Sequence, residues 1–310
     1  MPQSIFNEII TGIHFDTPVI LPLHDEEYER KNITVALLRL DAIHPVISGN
    51  KLFKLFYFLQ EAKYLPIQPI ITFGGAFSNH LAATAFACKI NNLKSIGVVR
   101  GEKPAVLSPT LSFCEKNGMQ LEFVSRSSYK TVNAESFLQE LHKKFGPHLL
   151  IPEGGFSVKG AKGAALITRF FGNVDFTHTC VAVGTATTFA GIIDGSKNEC
   201  KTIGLAVLKN MNDVDKRLEK LGVNRAKKFS FIGDYHFGGY AKKTGELISF
   251  INRFYDQHKV PLDFVYTGKM MFGIHELVKK NYFPAGSKII CIHTGGLQGN
   301  NSLPKGVLNF

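Results

Sequence analysis

With 310 residues, 45% of them apolar and 20% charged, the chain is long enough for two lobes or one large α/β domain and suits a soluble globular protein with a sizeable core. No stretch approaches the roughly 18 uninterrupted apolar residues of a membrane span. Met1 to Glu8 lack the basic-then-apolar order of a secretory signal. The net charge of +11 is spread along the chain, and its densest stretch, Lys216 to Lys228, is interleaved with acidic and apolar residues. That pattern argues against nucleic acid, and a diffuse basic field attracts carboxylate substrates and a phosphorylated cofactor.

Ser48-Gly49-Asn50-Lys51 reads as a tight turn, and Leu52, Phe53, Leu55, Phe56, Phe58 and Leu59 after it are apolar enough to bury a helix. Lys51 is then partly desolvated and close to a positive helix end, and both effects lower a lysine pKa. A neutral amine is what Schiff-base chemistry needs. Taken alone, the same residues also describe a surface lysine beside a glycine turn.

Pro69 to Phe73 is a β-rich run ending in Gly74-Gly75, and Ser78 to Cys88 reads as a small-residue helix with Ser78 as its N-cap. Asn79 and His80 project from its first turn, where polar residues carry chemistry more often than packing. Ser95 to Val99, Leu121 to Val124 and Leu149 to Ile151 are further strands, and Gly154-Gly155 with Gly160 marks a crossover between lobes. Thr179 to Val183 ends in Gly184. Thr185, Ala186, Thr187 and Thr188 then open a helix, either as a cradle for a single phosphate or as a plain threonine-rich cap. The glycine spacing fits neither a dinucleotide fingerprint nor a Walker loop.

Thr202 to Leu208, Phe264 to Tyr266 and Lys288 to His293 complete the expected strands. Tyr240 follows Phe237-Gly238-Gly239 in a glycine-rich loop, where packing and catalysis both remain open. Tyr266-Thr267-Gly268-Lys269 and His293-Thr294-Gly295-Gly296 each close a strand. Strands alternating with helices imply parallel sheets covered on both faces, with ligands outside the carboxyl ends of the strands. The five cysteines, Cys88, Cys114, Cys180, Cys200 and Cys291, are scattered without metal-ligand spacing. No metal site is expected, and buried free thiols in a reducing cytoplasm are the simplest account.

Five of these motifs occur in the order of one family. The chain resembles, from about Asp41 to Gly296, the pyridoxal-phosphate enzymes of the D-cysteine desulfhydrase and 1-aminocyclopropane-1-carboxylate deaminase family. The resemblance implies an α/β, two-lobed, fold type II enzyme of the tryptophan-synthase-β-like kind, with parallel-rich twisted sheets flanked by helices. The large lobe would comprise 1–53 and 157–310, and an inserted small lobe 54–156. It implies pyridoxal phosphate held covalently by Lys51, its phosphate contacted by Lys54 and cradled by Thr185, Ala186, Thr187 and Thr188. Asn79 would bond the pyridine 3′-oxygen, and Thr267 would face the pyridine nitrogen. Ser78 would contact the substrate carboxylate or act as a base. Tyr240 and Tyr266 would assist catalysis, with His80 and Thr294 on the substrate side. The partners implied are a small amino acid and a second copy of the chain, with no nucleic acid or membrane.

The chain departs from the family pattern at Phe53, where arginine is usual, and at Phe77, where glutamine is usual. Ala186 replaces a frequent glycine, Phe189 a polar residue, and Lys242-Lys243 a proline-rich stretch. Deaminases of the family resemble one another in having glutamate at the Thr267 position and leucine at the Thr294 position. Thr267, Thr294 and His80 therefore favour β-elimination from an amino acid such as D-cysteine, with ring-opening deamination as the alternative.

Overall fold

The computed structural model describes residues 13–64 and 68–310. Its strands are β1 Ile20–Leu23, β2 Thr34–Arg39, β3 Ile70–Gly74, β4 Ser95–Arg100, β5 Met119–Val124, β6 Leu149–Ile151, β7 His178–Val183, β8 Lys201–Ala206, β9 Phe229–Ile232 and β10 Lys288–His293. Its α-helices are α1 Glu26–Arg30, α2 Asn50–Tyr64, α3 Asn79–Ile90, α4 Pro109–Lys116, α5 Glu135–Phe145, α6 Val158–Ala165, α7 Thr187–Gly195, α8 Val214–Lys220, α9 Gly245–His258 and α10 Thr267–Lys279.

Among the described residues the strands form two sheets. One has six strands in the order β1-β2-β10-β7-β8-β9, and the other has four in the order β5-β4-β3-β6. Only the β1–β2 pair is antiparallel; every other pairing is parallel. Parallel strands covered on both faces need apolar residues in both directions. Strand β7 follows this rule: Val181 and Val183 pack toward α2, α6 and α7, while Cys180 and Ala182 pack toward α9 and α10. In β3, Ile71 and Phe73 share one small core with α5, and Ile70 faces the large core with α2.

Three regions differ from the sequence expectation. Strands β1, β2 and β9 fall where no strand is expected. Pro22 interrupts the β1 pattern, and it is tolerated because β1 is an edge strand paired only with β2. The run Phe264 to Tyr266, expected as a strand, is a turn leading into α10. The Asp263 carboxylate accepts hydrogen bonds from the N–H groups of Val265 (2.9 Å), Tyr266 (2.7 Å) and Thr267 (2.9 Å). A side chain that gathers the next residues' donors diverts the backbone from strand to helix start.

Helix α2 carries the first candidate residues. Leu52, Phe53, Leu55, Phe56, Phe58 and Leu59 are all buried in the core, as their apolar character requires. Its backbone approaches α6 so closely at Phe53 that any Cβ on Gly163 would overlap the Phe53 carbonyl. Phe53 itself is 1% exposed and meets Phe170 edge-on at 5.8 Å. The unusual phenylalanine is thus a packing residue, worth about 1.5–3 kcal/mol of burial, rather than part of a polar site.

Candidate active site

Lys51 is positioned by two loops that are stitched together. The Gly49 N–H donates to the Leu40 carbonyl (2.7 Å) and the Asn50 N–H to the Thr294 carbonyl (3.1 Å). Gly49 has φ +70°, and a Cβ there would overlap Thr294. The turn before Lys51 therefore requires glycine for both conformation and space. Lys51 Nζ donates to Asn50 Oδ1 (2.6 Å), and Asn50 Nδ2 donates to Thr188 Oγ1 (2.7 Å). Burial lowers the Lys51 pKa to about 8, with Asp263 opposing. One turn on, Lys54 is 4% exposed and its Nζ donates to the Gly154 carbonyl (3.0 Å). Burial, and secondarily the Lys51 charge, push its pKa well below the usual lysine range. Among the described residues no carboxylate lies within ion-pairing distance of either amine.

The start of α7 faces the same lysines. Ala186 precedes the helix in the left-handed region, at φ 70° and ψ −4°, and no side chain caps the helix. Thr185 Oγ1 and Thr187 Oγ1 share a hydrogen bond of 2.9 Å. An uncapped helix start has unsatisfied N–H groups and a positive dipole end, so it suits an anion.

The loop after β3 divides its polar residues between two jobs. Ser78 Oγ accepts from the Leu81 N–H (3.2 Å) and caps α3. Asn79 borders the cavity, and its Oδ1 is buried with no hydrogen-bond partner. His80, expected on the substrate side, is 3% exposed and turned into the sheet, with Nε2 2.9 Å from Thr72 Oγ1. The Thr72 hydroxyl donates to the Ile151 carbonyl (2.8 Å), so it accepts from His80 Nε2–H, and His80 Nδ1 remains a buried acceptor. Burial, then Lys51 and Lys54, lower the His80 pKa to about 3, and the ring is neutral.

Thr267 also points elsewhere than expected. It is fully buried; its hydroxyl donates to Asp263 Oδ1 (2.7 Å) and accepts from the Asp263 N–H (2.9 Å). Burial raises the Asp263 pKa, and the bonds from Thr267 and Tyr266 oppose that rise. Tyr266 borders the cavity, and burial pushes its phenol far above the usual tyrosine range. Tyr240 is 47% exposed at the rim and meets Tyr266 edge-on with ring centroids 6.1 Å apart. Thr294 borders the cavity beside Gly295 and Gly296. Behind it, His293 Nε2 donates to the Pro261 carbonyl (2.8 Å), while Nδ1 accepts from the Gly295 N–H (3.2 Å) and lies 3.4 Å from Asp41 Oδ1.

These groups surround one cleft. It gathers the expected Lys51, Lys54, Asn79 and Tyr266, together with Thr294. Thr185, Ala186, Thr187 and Thr188 close its other side. It does not gather His80 or Thr267; Ser78 stands behind Asn79 and Tyr240 at the rim. Sequence reasoning missed Asn50, which links Lys51 to Thr188, and Asp263, which shapes the start of α10. The second had a signal: an aspartate three residues before Tyr266 is a side-chain cap pattern. The cleft fits pyridoxal phosphate. Asn79 borders the cleft with an amide whose NH2 group can donate to a ring oxygen, the open α7 start beside two amines that have no carboxylate partner suits the phosphate, and Lys51 is the reactive amine.

Two α/β lobes with a lysine-bearing cleft and a helix-start cradle define a fold type II pyridoxal-phosphate enzyme. The chain belongs to the family described as pyridoxal-phosphate dependent enzyme, which matches residues 10–295. It is 32% identical over 283 residues to a candidate 1-aminocyclopropane-1-carboxylate deaminase of Pyrococcus furiosus, covering 85% of each chain. It is 30% identical over 281 residues to the mitochondrial bifunctional D-cysteine desulfhydrase/1-aminocyclopropane-1-carboxylate deaminase of Arabidopsis thaliana, covering 82% of this chain and 70% of that one. A solved deaminase homologue superposes with a TM-score of 0.78 at 28% identity, over 97% of this chain and 96% of that one.

Proposed function

We propose that the chain catalyses β-elimination from a small amino acid, with D-cysteine as the first candidate substrate, yielding sulfide, pyruvate and ammonia with uptake of one water. Bound pyridoxal phosphate supplies an electron sink for negative charge at the substrate Cα. The observation that carries the reading is that, among the described residues, none of those lining the cleft is a carboxylate, while Thr294 offers a neutral hydroxyl there. A carboxylate partner keeps a pyridine nitrogen protonated; a hydroxyl does not. Expelling a thiolate needs less electron withdrawal than opening a cyclopropane. Asp263, the nearest buried acid, is committed to its own turn by four donors. Thr267→Glu would set a second carboxylate against it, so the reaction is tuned at Thr294 instead.

Lys51 is the group that moves the Cα proton: a pKa near 8 leaves roughly a tenth of the amine neutral at pH 7. Asn79, Thr187 and Thr188 hold the cofactor, and Tyr266 with Tyr240 lies on the side where the β-substituent leaves. Ser78 retains its hydroxyl proton for the substrate carboxylate. We further place the lobe boundaries at 53/54 and 156/157. The working form is a homodimer in a reducing compartment, the cytoplasm in the simplest case, consistent with five buried free cysteines.

The test is product analysis of the purified holoprotein with D-cysteine, L-cysteine and 1-aminocyclopropane-1-carboxylate. Sulfide and pyruvate in equal amounts from D-cysteine support elimination. Release of 2-oxobutanoate from the cyclopropane substrate, without sulfide from either cysteine, overturns it. The names of the relatives favour that second reading.

A further inference from the structure

We propose that Lys269 is a positioning residue, whose ammonium clamps the Tyr240 loop over the mouth of the cleft by binding the carbonyls of His236 and Gly239. Lys269 is 1% exposed, and its Nζ donates to the His236 carbonyl at 2.8 Å and the Gly239 carbonyl at 2.6 Å. Both acceptors lie more than 29 residues away in sequence, in the loop that carries Tyr240. No carboxylate lies within ion-pairing distance among the described residues, so these two carbonyls hold the buried charge. Burial lowers the Lys269 pKa to about 8, with the Asp263 charge opposing.

The loop needs such a clamp. Phe237 and Ala241 both have φ 53°, and Gly238 and Gly239 have φ +89° and +113°. Non-glycine residues in the left-handed region persist where surrounding structure over-determines them. The loop has further anchors: the Gly238 N–H donates to His236 Nδ1 (3.0 Å), Phe237 packs edge-on against Phe272 of α10 at 4.9 Å, and the Tyr240 and Tyr266 side chains share a hydrogen bond. Among the described residues only Lys269 holds the backbone next to Tyr240 by hydrogen bond from outside the loop, because Tyr240 follows the second clamped carbonyl directly. The same helix start presents Tyr266, three residues before Lys269, to the cleft. One rigid element therefore sets both tyrosines and their 6.1 Å spacing. Lys269 borders no part of the cleft and acts only through Tyr240.

The inference rests on the elimination reading for its effect on rate, and on geometry alone for its effect on the loop. The test uses the holoprotein and Lys269→Met. Trypsin should cut after the exposed Lys242 or Lys243 at least tenfold faster in the variant, with cofactor affinity unchanged. Its kcat/KM should fall about tenfold, and Lys269→Met should add no further loss in a Tyr240→Phe background. Unchanged nicking, or losses that multiply in the double variant, would overturn the clamp. Should Lys269→Met fail to fold, Lys269→Gln keeps one donor, and nicking between the two extremes is expected; wild-type nicking would overturn the clamp equally. A wild type that turns over no amino acid refutes the elimination reading, while the nicking comparison still decides the role of Lys269.

Discussion

Helices α3 and α7 begin alike and end up in different trades. Each follows the carboxyl end of a parallel strand through a glycine, and each opens with hydroxyl residues beside the cleft. At α3 the Ser78 side chain closes its own helix by accepting from Leu81 N–H. At α7 the preceding residue is Ala186, in a left-handed conformation that supplies no cap, and the nearby threonine hydroxyls bond to each other and to Asn50. The α3 start is satisfied by the protein. The α7 start is left for an anion, with Lys51 and Lys54 facing it. A capped start orients one neighbour, here Asn79, toward the ligand; an uncapped one is itself the binding group.

The largest way to break this comparison is at the amine both helices surround. Lys51→Ala should lower turnover by roughly 10²–10⁴-fold, the usual worth of a positioned acid–base group. Borohydride reduction should then fix no cofactor on the protein; a phosphopyridoxyl label on Lys54 or Lys269 in the wild type would move the reactive amine elsewhere. Next in size, Thr187→Val or Thr188→Val should weaken cofactor binding by about tenfold or more, since a hydrogen bond to an anion is worth about 1.5–3 kcal/mol. Ser78→Ala, by contrast, should cost about 1 kcal/mol of stability and leave cofactor affinity alone. Equal cofactor affinities in all three variants, measured by absorbance titration, would erase the distinction.

Protonation separates the two regions more gently. The folded apoprotein holds Lys51 and Lys269 with pKa values near 8, below their unfolded values. The unfolded chain then binds more protons between about pH 8 and 10, so stability rises with pH in that window, by at most ~1.4 kcal/mol per pH unit for each lysine. Denaturant midpoints of the apoprotein at pH 8 and 9.5 read this directly, and Lys51→Met should flatten the rise. The smallest effect belongs to Ala186. Ala186→Gly removes the left-handed strain but loosens the unfolded chain, and should stabilise by about 1 kcal/mol or less. A thermal midpoint that falls would place the strain elsewhere.

Much of this was legible in the sequence because it is local. The turn-and-helix setting of Lys51, the cap role of Ser78, the threonine-rich start of α7 and most parallel strands follow from neighbours within one or two turns. Their physics is backbone conformation, helix ends and short-range apolar pattern. What the sequence did not settle lies across space. His80 and Thr267 sit in motifs that suggest the cleft, but a strand hydroxyl and a buried carboxylate hold them away from it. Asn50 reaches Thr188, and Lys269 reaches the Tyr240 loop, over more than 29 residues of chain. Buried polar groups must find partners wherever the fold brings them, and that choice belongs to tertiary packing alone.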